Sequence, residues 1–379
     1  MHILLAPNAF KNALAAPLAA AALQKGLLAS HLKCTLQCFP VGDGGDGTAA
    51  LIIRHTGGEF ISRSVLDPFG REIDARLGIT DGGKTAVIEM ADASGLRLLQ
   101  PDQYDPLMAS SYGTGQLILG ALDRGVQKII LCIGGSATVD GATGITRALG
   151  VRFLNSEGAE LKKIPADLPD LARIDLSQMD NRIFRTELII LCDVDNTLLG
   201  PQGAAMVFGP QKGANAEDCL RLEAGLSRLR DVILAATGSD IAIIPHGGAA
   251  GGVAAGLAGM MKARLLNGIE AFLEITGFES ALTPASLVIT GEGSIDAQTL
   301  QGKGPFGVAK RAKEKGIPVI GVAGKIPLEA DPGLQAYFDV LIPINHRLTD
   351  LQEAILDTEL NLEWTARMIG DLLALKCAG

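Results

Sequence analysis

Acidic side chains recur on loops along this chain, most of them beside glycine. Asp43 and Asp46 lie in GDGGDGT (residues 42–48), Asp140 in GGSATVDGATG (134–144), Asp193 in LCDVDNT (191–197), and Glu292 and Asp296 in GEGSID (291–296). Small residues let backbone N–H groups approach phosphate oxygens, and a helix N-terminus that follows adds a favourable field. Carboxylates beside such loops imply a divalent cation. Mg2+ takes one or two carboxylates with phosphate oxygens, so other acids are left for tasks such as accepting the proton of an attacking hydroxyl. Lys11, Lys212, Lys303 and Lys325 stand at loop positions where they could neutralise charge on a transferred phosphoryl group. GGSAT (134–138) followed by a helix is the best phosphate cradle, with Ser136 and Thr138 as extra donors. Taken singly, each Asp-Gly loop reads as an ordinary turn; their repetition points to a kinase.

Three short motifs suggest other chemistry. GITDGGKT (78–85) satisfies the P-loop expression, but the β-branched run after it makes it a hairpin tip and not a helix start. GDGGDG (42–47) satisfies GxGxxG between a strand and a helix, yet its two carboxylates repel a bare pyrophosphate. LIILCDVDNT (188–197) looks like the nucleophile strand of haloacid-dehalogenase phosphatases, with Asp193 as nucleophile and Asp195 as acid/base. It lies mid-chain instead of opening a domain, and it remains the rival reading. A non-catalytic nucleotide sensor is the second alternative.

Composition narrows the classes. The 379 residues include 47 glycines, about 20 more than an average share of ~7% gives. They show no period of three, which excludes collagen, and 47% hydrophobic content excludes disorder. A net charge of −9 with 4% aromatics is a poor basis for nucleic-acid binding. No apolar run reaches the ~18 residues of a membrane span, and Lys11 and Pro17 spoil a secretory signal reading of the N-terminus. The 6 cysteines form no CxxC pair and have no zinc spacing with the 5 histidines, so a reduced, cytoplasmic protein is expected.

The elements that must position these loops are α/β. HILLAP is a short buried strand, residues 17–30 a helix, 35–41 a strand and 48–56 a helix. Between residues 59 and 90, alternating apolar positions and Asp-Gly or Pro turns mark antiparallel hairpins. Strands at 129–135 and 188–195 resume the helix–strand alternation. LVIT (287–290), PVIGVAG and DVLIPI are strands of the last third, with helices at 305–315 and 350–375. The expected fold is α/β with two domains: a Rossmann-like parallel-sheet domain built from residues 1–62 and 278–379, and an inserted α/β domain at 63–277.

Long stretches in order along the whole chain resemble the glycerate kinase family of bacterial type. They are AP-x-x-FK (6–11), DGGDGT (43–48), SSYGTG (110–115), IGGSAT-x-DG (133–141), CDV-x-N (192–196), GPQGAAMVFGPQKGA (200–214), GGAAGG (247–252) and VITGEGSIDAQTLQGKGP (288–305). Where many members read APDSFK-x-S, this chain has Asn8, Ala9 and Ala13; Gln116, Val139 and Thr197 are further departures.

The resemblance implies ATP-dependent phosphorylation of D-glycerate with Mg2+, at the 2-hydroxyl, and an active site in the cleft between two α/β domains. Within that reading Gly134, Gly135, Ser136, Thr138, Gly291 and Glu292 bind the nucleotide. Asp43 and Asp46 meet metal or substrate, and Ser111 and Asn196 contact substrate. Asp193 is the base, with Asp296 a second candidate; Lys11 and Lys325 hold the glycerate carboxylate or the transferring phosphoryl. The expected partner is this small molecule, with no nucleic acid and no membrane, and a homo-oligomer left open.

Overall fold

The computed structural model describes residues 1–329 and 331–377. The chain opens with β1 (His2–Leu5), α1 (Ala16–Leu28), β2 (Thr35–Cys38) and α2 (Thr48–Thr56). It continues through β3 (Glu59–Leu66), β4 (Glu72–Thr80), β5 (Thr85–Glu89), α3 (Ala91–Ser94), α4 (Tyr112–Asp123), β6 (Lys128–Cys132) and α5 (Thr143–Ala148). Next come β7 (Arg152–Leu154), β8 (Arg173–Asp175), β9 (Glu187–Cys192), α6 (Ala204–Phe208), α7 (Ala216–Thr237), α8 (Ala249–Met261) and β10 (Arg264–Asn267). The last part holds α9 (Gly268–Ile275), α10 (Phe278–Leu282), β11 (Leu287–Ser294), α11 (Gly304–Glu314), β12 (Val319–Lys325), α12 (Pro332–Gln335), β13 (Val340–Pro343), α13 (Leu351–Leu356) and α14 (Thr358–Cys377). No described helix is long and apolar enough to cross a membrane.

Two compact units divide the chain: Met1–Asp43 with the described residues from Gly268 onward, and Gly44–Asn267. In the first, a five-stranded sheet takes strands from both chain ends in the order β13-β12-β11-β1-β2, every pair parallel. The central strands β1 and β11 carry the apolar runs ILL and LVI because both of their faces are covered. Ile3, Leu5, Leu287, Ile289 and Val322 pack there with Leu23 and Leu27 of α1 and with Leu362, Ala366 and Ile369 of α14. The two helices touch backbone to backbone at Gly26, where a Cβ would stand 2.0 Å from the Glu363 carbonyl oxygen. The closing helix expected over 350–375 is two helices. Asp350 caps the first by accepting the Glu353 N–H at 2.9 Å, and the chain breaks at Asp357 before α14 begins.

The second unit holds a six-stranded sheet, β10-β9-β6-β5-β4-β3, and the small pair β7–β8. β10, β9, β6 and β5 are parallel; β4 and β3 are antiparallel, as the alternating pattern requires. β4 and β5 pair from Gly78 opposite Val87 to Thr80 opposite Thr85, with Asp81–Gly83 at the tip. The P-loop look-alike is thus a hairpin turn.

The units part at 43/44 and 267/268, against the expected 62/63 and 277/278. α2 sits with the second unit because Ile53 fills the space beside Gly78 on β4, 2.7 Å from where a Cβ would be. α9 sits with the first because Ile269 packs on Gly307 and Glu270 pairs with Lys310 and Arg311 of α11, at 3.1 and 2.6 Å.

Candidate active site

In the second unit β6 runs into the loop 133–142, and its neighbours β5 and β9 end beside it, so loops gather at the C-terminal ends of parallel strands. The helix expected directly after GGSAT starts only at Thr143 and has 6 residues. Backbone packing shapes the loop instead. The Gly134 N–H donates to the Gly44 carbonyl at 3.1 Å, and a Cβ on Gly134 would lie 2.5 Å from the Gly45 Cα. On another side Gly251 sits against the loop; its Cβ would be 2.1 Å from the Thr138 carbonyl oxygen. Ala250, Gly251 and Gly252 are left-handed in succession (φ 53, 68 and 87°), which turns their backbone onto the loop. Part of the glycine surplus therefore serves close backbone approach and not ligand contact.

Two donors of the loop stay unspent. Gly135 is exposed with φ 68°, and among the described residues the N–H groups of Gly135 and Ser136 donate to nothing in the chain. The Ala137 N–H, by contrast, is bonded to the Ser94 carbonyl at 2.9 Å. Asp46 flanks Gly135, its Oδ1 2.7 Å from where a Gly135 Cβ would stand. Beneath, the Lys212 Nζ donates to Ser136 Oγ and to the Thr138 carbonyl, both at 2.8 Å. Burial pushes Lys212 down to about 7, with the charge of Asp140 opposing.

Asp140 and Ser111 form a buried brace. Asp140 Oδ2 accepts the Ser111 N–H (2.9 Å), the Ser111 hydroxyl (2.7 Å) and the Gly144 N–H (3.1 Å), while Oδ1 accepts the Ala142 N–H (3.2 Å). Ser111 Oγ also accepts the Ile145 N–H at 3.0 Å, and both residues are fully buried. Ser111, expected as a substrate contact, is thus committed inside the unit.

Glu89, at the end of β5, carried no signal in the sequence because a Glu in TAVIEM reads as one more strand residue. It is buried and accepts the Gly47 N–H at 2.5 Å and the Ala49 N–H at 3.2 Å, so it caps α2 from outside the helix. Burial pushes its carboxyl up to about 7; the Gly47 bond opposes this, and Asp92 and Asp46 add to it. The GxGxxG loop therefore already holds one of the chain's own carboxylates.

β9 ends at Cys192, and Asp193 follows, exposed, on an irregular segment. Asp195 pairs with His246 Nδ1 at 3.1 Å, and the same nitrogen lies 2.8 Å from the Val194 carbonyl. The Asn196 amide donates to the Gln202 carbonyl at 2.8 Å, and the Thr197 hydroxyl to the Leu199 carbonyl at 2.9 Å. Burial pushes the Cys192 thiol up to about 12, and Asp193 adds to the shift, so this sulfur is a core group and no nucleophile.

In the first unit, the end of β11 carries Gly291 and Glu292. Gly291 has no room for a side chain, since a Cβ would lie 2.0 Å from the Val322 carbonyl oxygen. Glu292 is buried and accepts the Thr299 hydroxyl at 3.1 Å. Burial pushes it up to about 7, Lys303 opposes, and Asp43 and Asp296 add to the rise. Asp43 Oδ2 accepts the Asn8 amide at 2.7 Å and the Gly304 N–H at 3.4 Å, the latter at the start of α11. Asn8, where the family pattern has Asp, is thus a partner of Asp43. Asp296 caps the turn 297–301, accepting the Gln298 N–H at 2.9 Å and the Ser294 hydroxyl at 3.3 Å. Lys325 ends β12 opposite Ser294, and the Lys11 backbone passes Gly293, its N 3.6 Å from a would-be Cβ; both lysines are exposed.

Comparison with known proteins shows the family. A model of the glycerate kinase family matches residues 3–374. A glycerate kinase of Halalkalibacterium halodurans is 42% identical over 367 residues, 97% of each chain. A glycerate 2-kinase of Escherichia coli is 40% identical over 379 residues, 99% of this chain and 98% of that one. The crystal structure of a putative glycerate kinase 2 from Salmonella typhimurium LT2 covers 100% of both chains with a TM-score of 0.84 and 39% identity. With the family model matching nearly the whole chain and relatives at about 40% identity over almost their full length, the chain belongs to the glycerate kinase family.

Proposed function

We propose that this protein transfers the terminal phosphoryl group of ATP to D-glycerate, at the 2-hydroxyl, giving 2-phosphoglycerate and ADP. The observation that carries the reading is the 134–138 loop, where among the described residues the N–H groups of Gly135 and Ser136 meet no acceptor and a buried lysine holds the Ser136 hydroxyl. Backbone donors of this kind suit phosphate oxygens. The relatives matched over nearly their whole length are kinases by name, so neither the phosphatase nor the nucleotide sensor has support. In addition, Asp195, the acid/base of the phosphatase reading, is engaged by His246.

Gly134 sets the loop against its neighbour, Gly135 and Ser136 receive phosphate oxygens, and Thr138 lines the loop below. Mg2+ fits the donor set, because the hard carboxylate oxygens of Asp46 stand beside Gly135. Asp46 would hold it; Asp43, already bonded to Asn8 and Gly304, is its reserve. Bound there, the ion would neutralise phosphate charge. Asp193, exposed after β9, accepts the proton of the attacking glycerate hydroxyl, and Asn196 contacts the substrate. Lys11 and Lys325 attract the glycerate carboxylate. Asp296, Gly291 and Glu292 shape the end of β11, with Asp296 placed as a cap more than as a base. Transfer is direct, since positioning and charge stabilisation suffice for phosphoryl transfer.

Phosphorus NMR of the product tests the position. A phosphate ester on C2 supports the proposal, and an ester on C3 overturns the regiochemistry while leaving the kinase.

A further inference from the structure

Lys212 is a buried cation whose task the reaction above does not specify. It ends the turn Pro210–Lys212 with 3% exposure, and its amine reaches the loop at two points, Ser136 Oγ and the Thr138 carbonyl. An ammonium has three donors; among the described residues the third meets no acceptor. Among the described residues the hydroxyl of Thr138, also fully buried, has no partner. Buried polar groups are normally satisfied, and an unspent donor beside an unspent hydroxyl suits an anionic oxygen.

We propose that Lys212 is the positioning residue of the phosphate loop, clamping Ser136 and Thr138 to receive a polyphosphate and taking up a proton as that anion binds. This rests on the phosphate role proposed for the loop.

The charged group Lys212 feels is Asp140, two residues beyond Thr138 and held by four internal hydrogen bonds. The turn at 248–252, packed on Thr138, carries no titratable side chain. On the segment of Lys212 itself, Tyr104 packs against Gly213, and Asp218 is spent on the Asn215 N–H at 3.0 Å. With a pKa of about 7, the amine is mostly neutral at pH 8, and incoming phosphate charge restores its proton.

Calorimetric titration of ADP into the full chain, in two buffers of different ionisation heat, counts the protons. The expected uptake is about 0.9 proton per ADP at pH 8 and about 0.1 at pH 6, with the pH 8 uptake lost in K212M. In steady state, K212M raises the KM for ATP about tenfold or more and the KM for glycerate less than twofold. K212R, charged throughout, recovers part of the ATP affinity and flattens its decline between pH 6 and 8. ADP binding without proton uptake in the unaltered protein, or uptake undiminished in K212M, overturns the proposal alone. An equal rise of both KM values does the same, because a merely structural lysine would act so. Failure of the unaltered protein to bind ADP overturns the nucleotide reading itself, and this one with it.

Discussion

Glu89 accepts the Gly47 N–H at 2.5 Å, so a carboxylate from β5 fills the N-terminus of α2. Asp43 does the same for α11 through the Gly304 N–H at 3.4 Å. Both helix starts therefore hold an anion of the chain itself. The N–H groups of Gly135 and Ser136, by contrast, meet no acceptor among the described residues.

Glu89 and Glu292 make stability depend on pH in a defined direction. Burial pushes both carboxyls up to about 7 from an ordinary 4.5. Between those values the folded protein keeps protons that the unfolded chain has released, so stability falls as pH rises through the window and is level below it. Urea midpoints between pH 5 and 7 should decline, each group contributing a slope of ~1.4 kcal/mol per pH unit at most; above pH 7 the lowered pKa of Lys212 acts in the opposite direction. Glu292→Gln should remove part of the decline; an unchanged slope would show that Glu292 is not buried in the charged state.

Asp193→Asn should lower kcat by ~10²–10⁴ if the group accepts the hydroxyl proton. The side chain is exposed, so the thermal midpoint should hardly move. Turnover near that of the unaltered protein would remove Asp193 as base.

Gly251→Ala and Gly47→Ala separate packing from backbone strain. Both positions are left-handed, but a Cβ at Gly251 would lie 2.1 Å from the Thr138 carbonyl oxygen, whereas at Gly47 nothing lies within 4 Å. The first change should cost about 2–4 kcal/mol in urea unfolding and raise the KM for ATP. The second should cost about 1 kcal/mol. Equal losses would mean that the 248–252 turn does not support the phosphate loop.

Lys11→Met and Lys325→Met should each raise the KM for glycerate about tenfold, the effect of ~1.4 kcal/mol of lost attraction, and leave the KM for ATP within twofold. Both side chains are exposed, so folding is untouched. A selective rise in the KM for ATP would move these lysines from the acceptor to the donor.

The parallel strands were legible because runs such as IILC and LVIT are apolar without alternation, which only a doubly covered strand requires. The β4–β5 turn was legible from Asp81-Gly82-Gly83. Glu89 was not, since its role depends on α2 being folded back onto β5, a contact over 40 residues that no local pattern encodes. Lys212 read as a loop cation because nothing in GPQKGA tells that the turn is buried. The glycines of GGSAT were visible as a motif, but which of them pack and which face outward is decided by the loops at 44–47 and 248–252.

A coupled assay of ADP release, with and without D-glycerate, bears most directly on the kinase assignment. The account predicts ADP formed only when D-glycerate is present, one ADP for each glycerate consumed. ADP release at the same rate without glycerate, or phosphate released from phosphate esters in the absence of ATP, would contradict it.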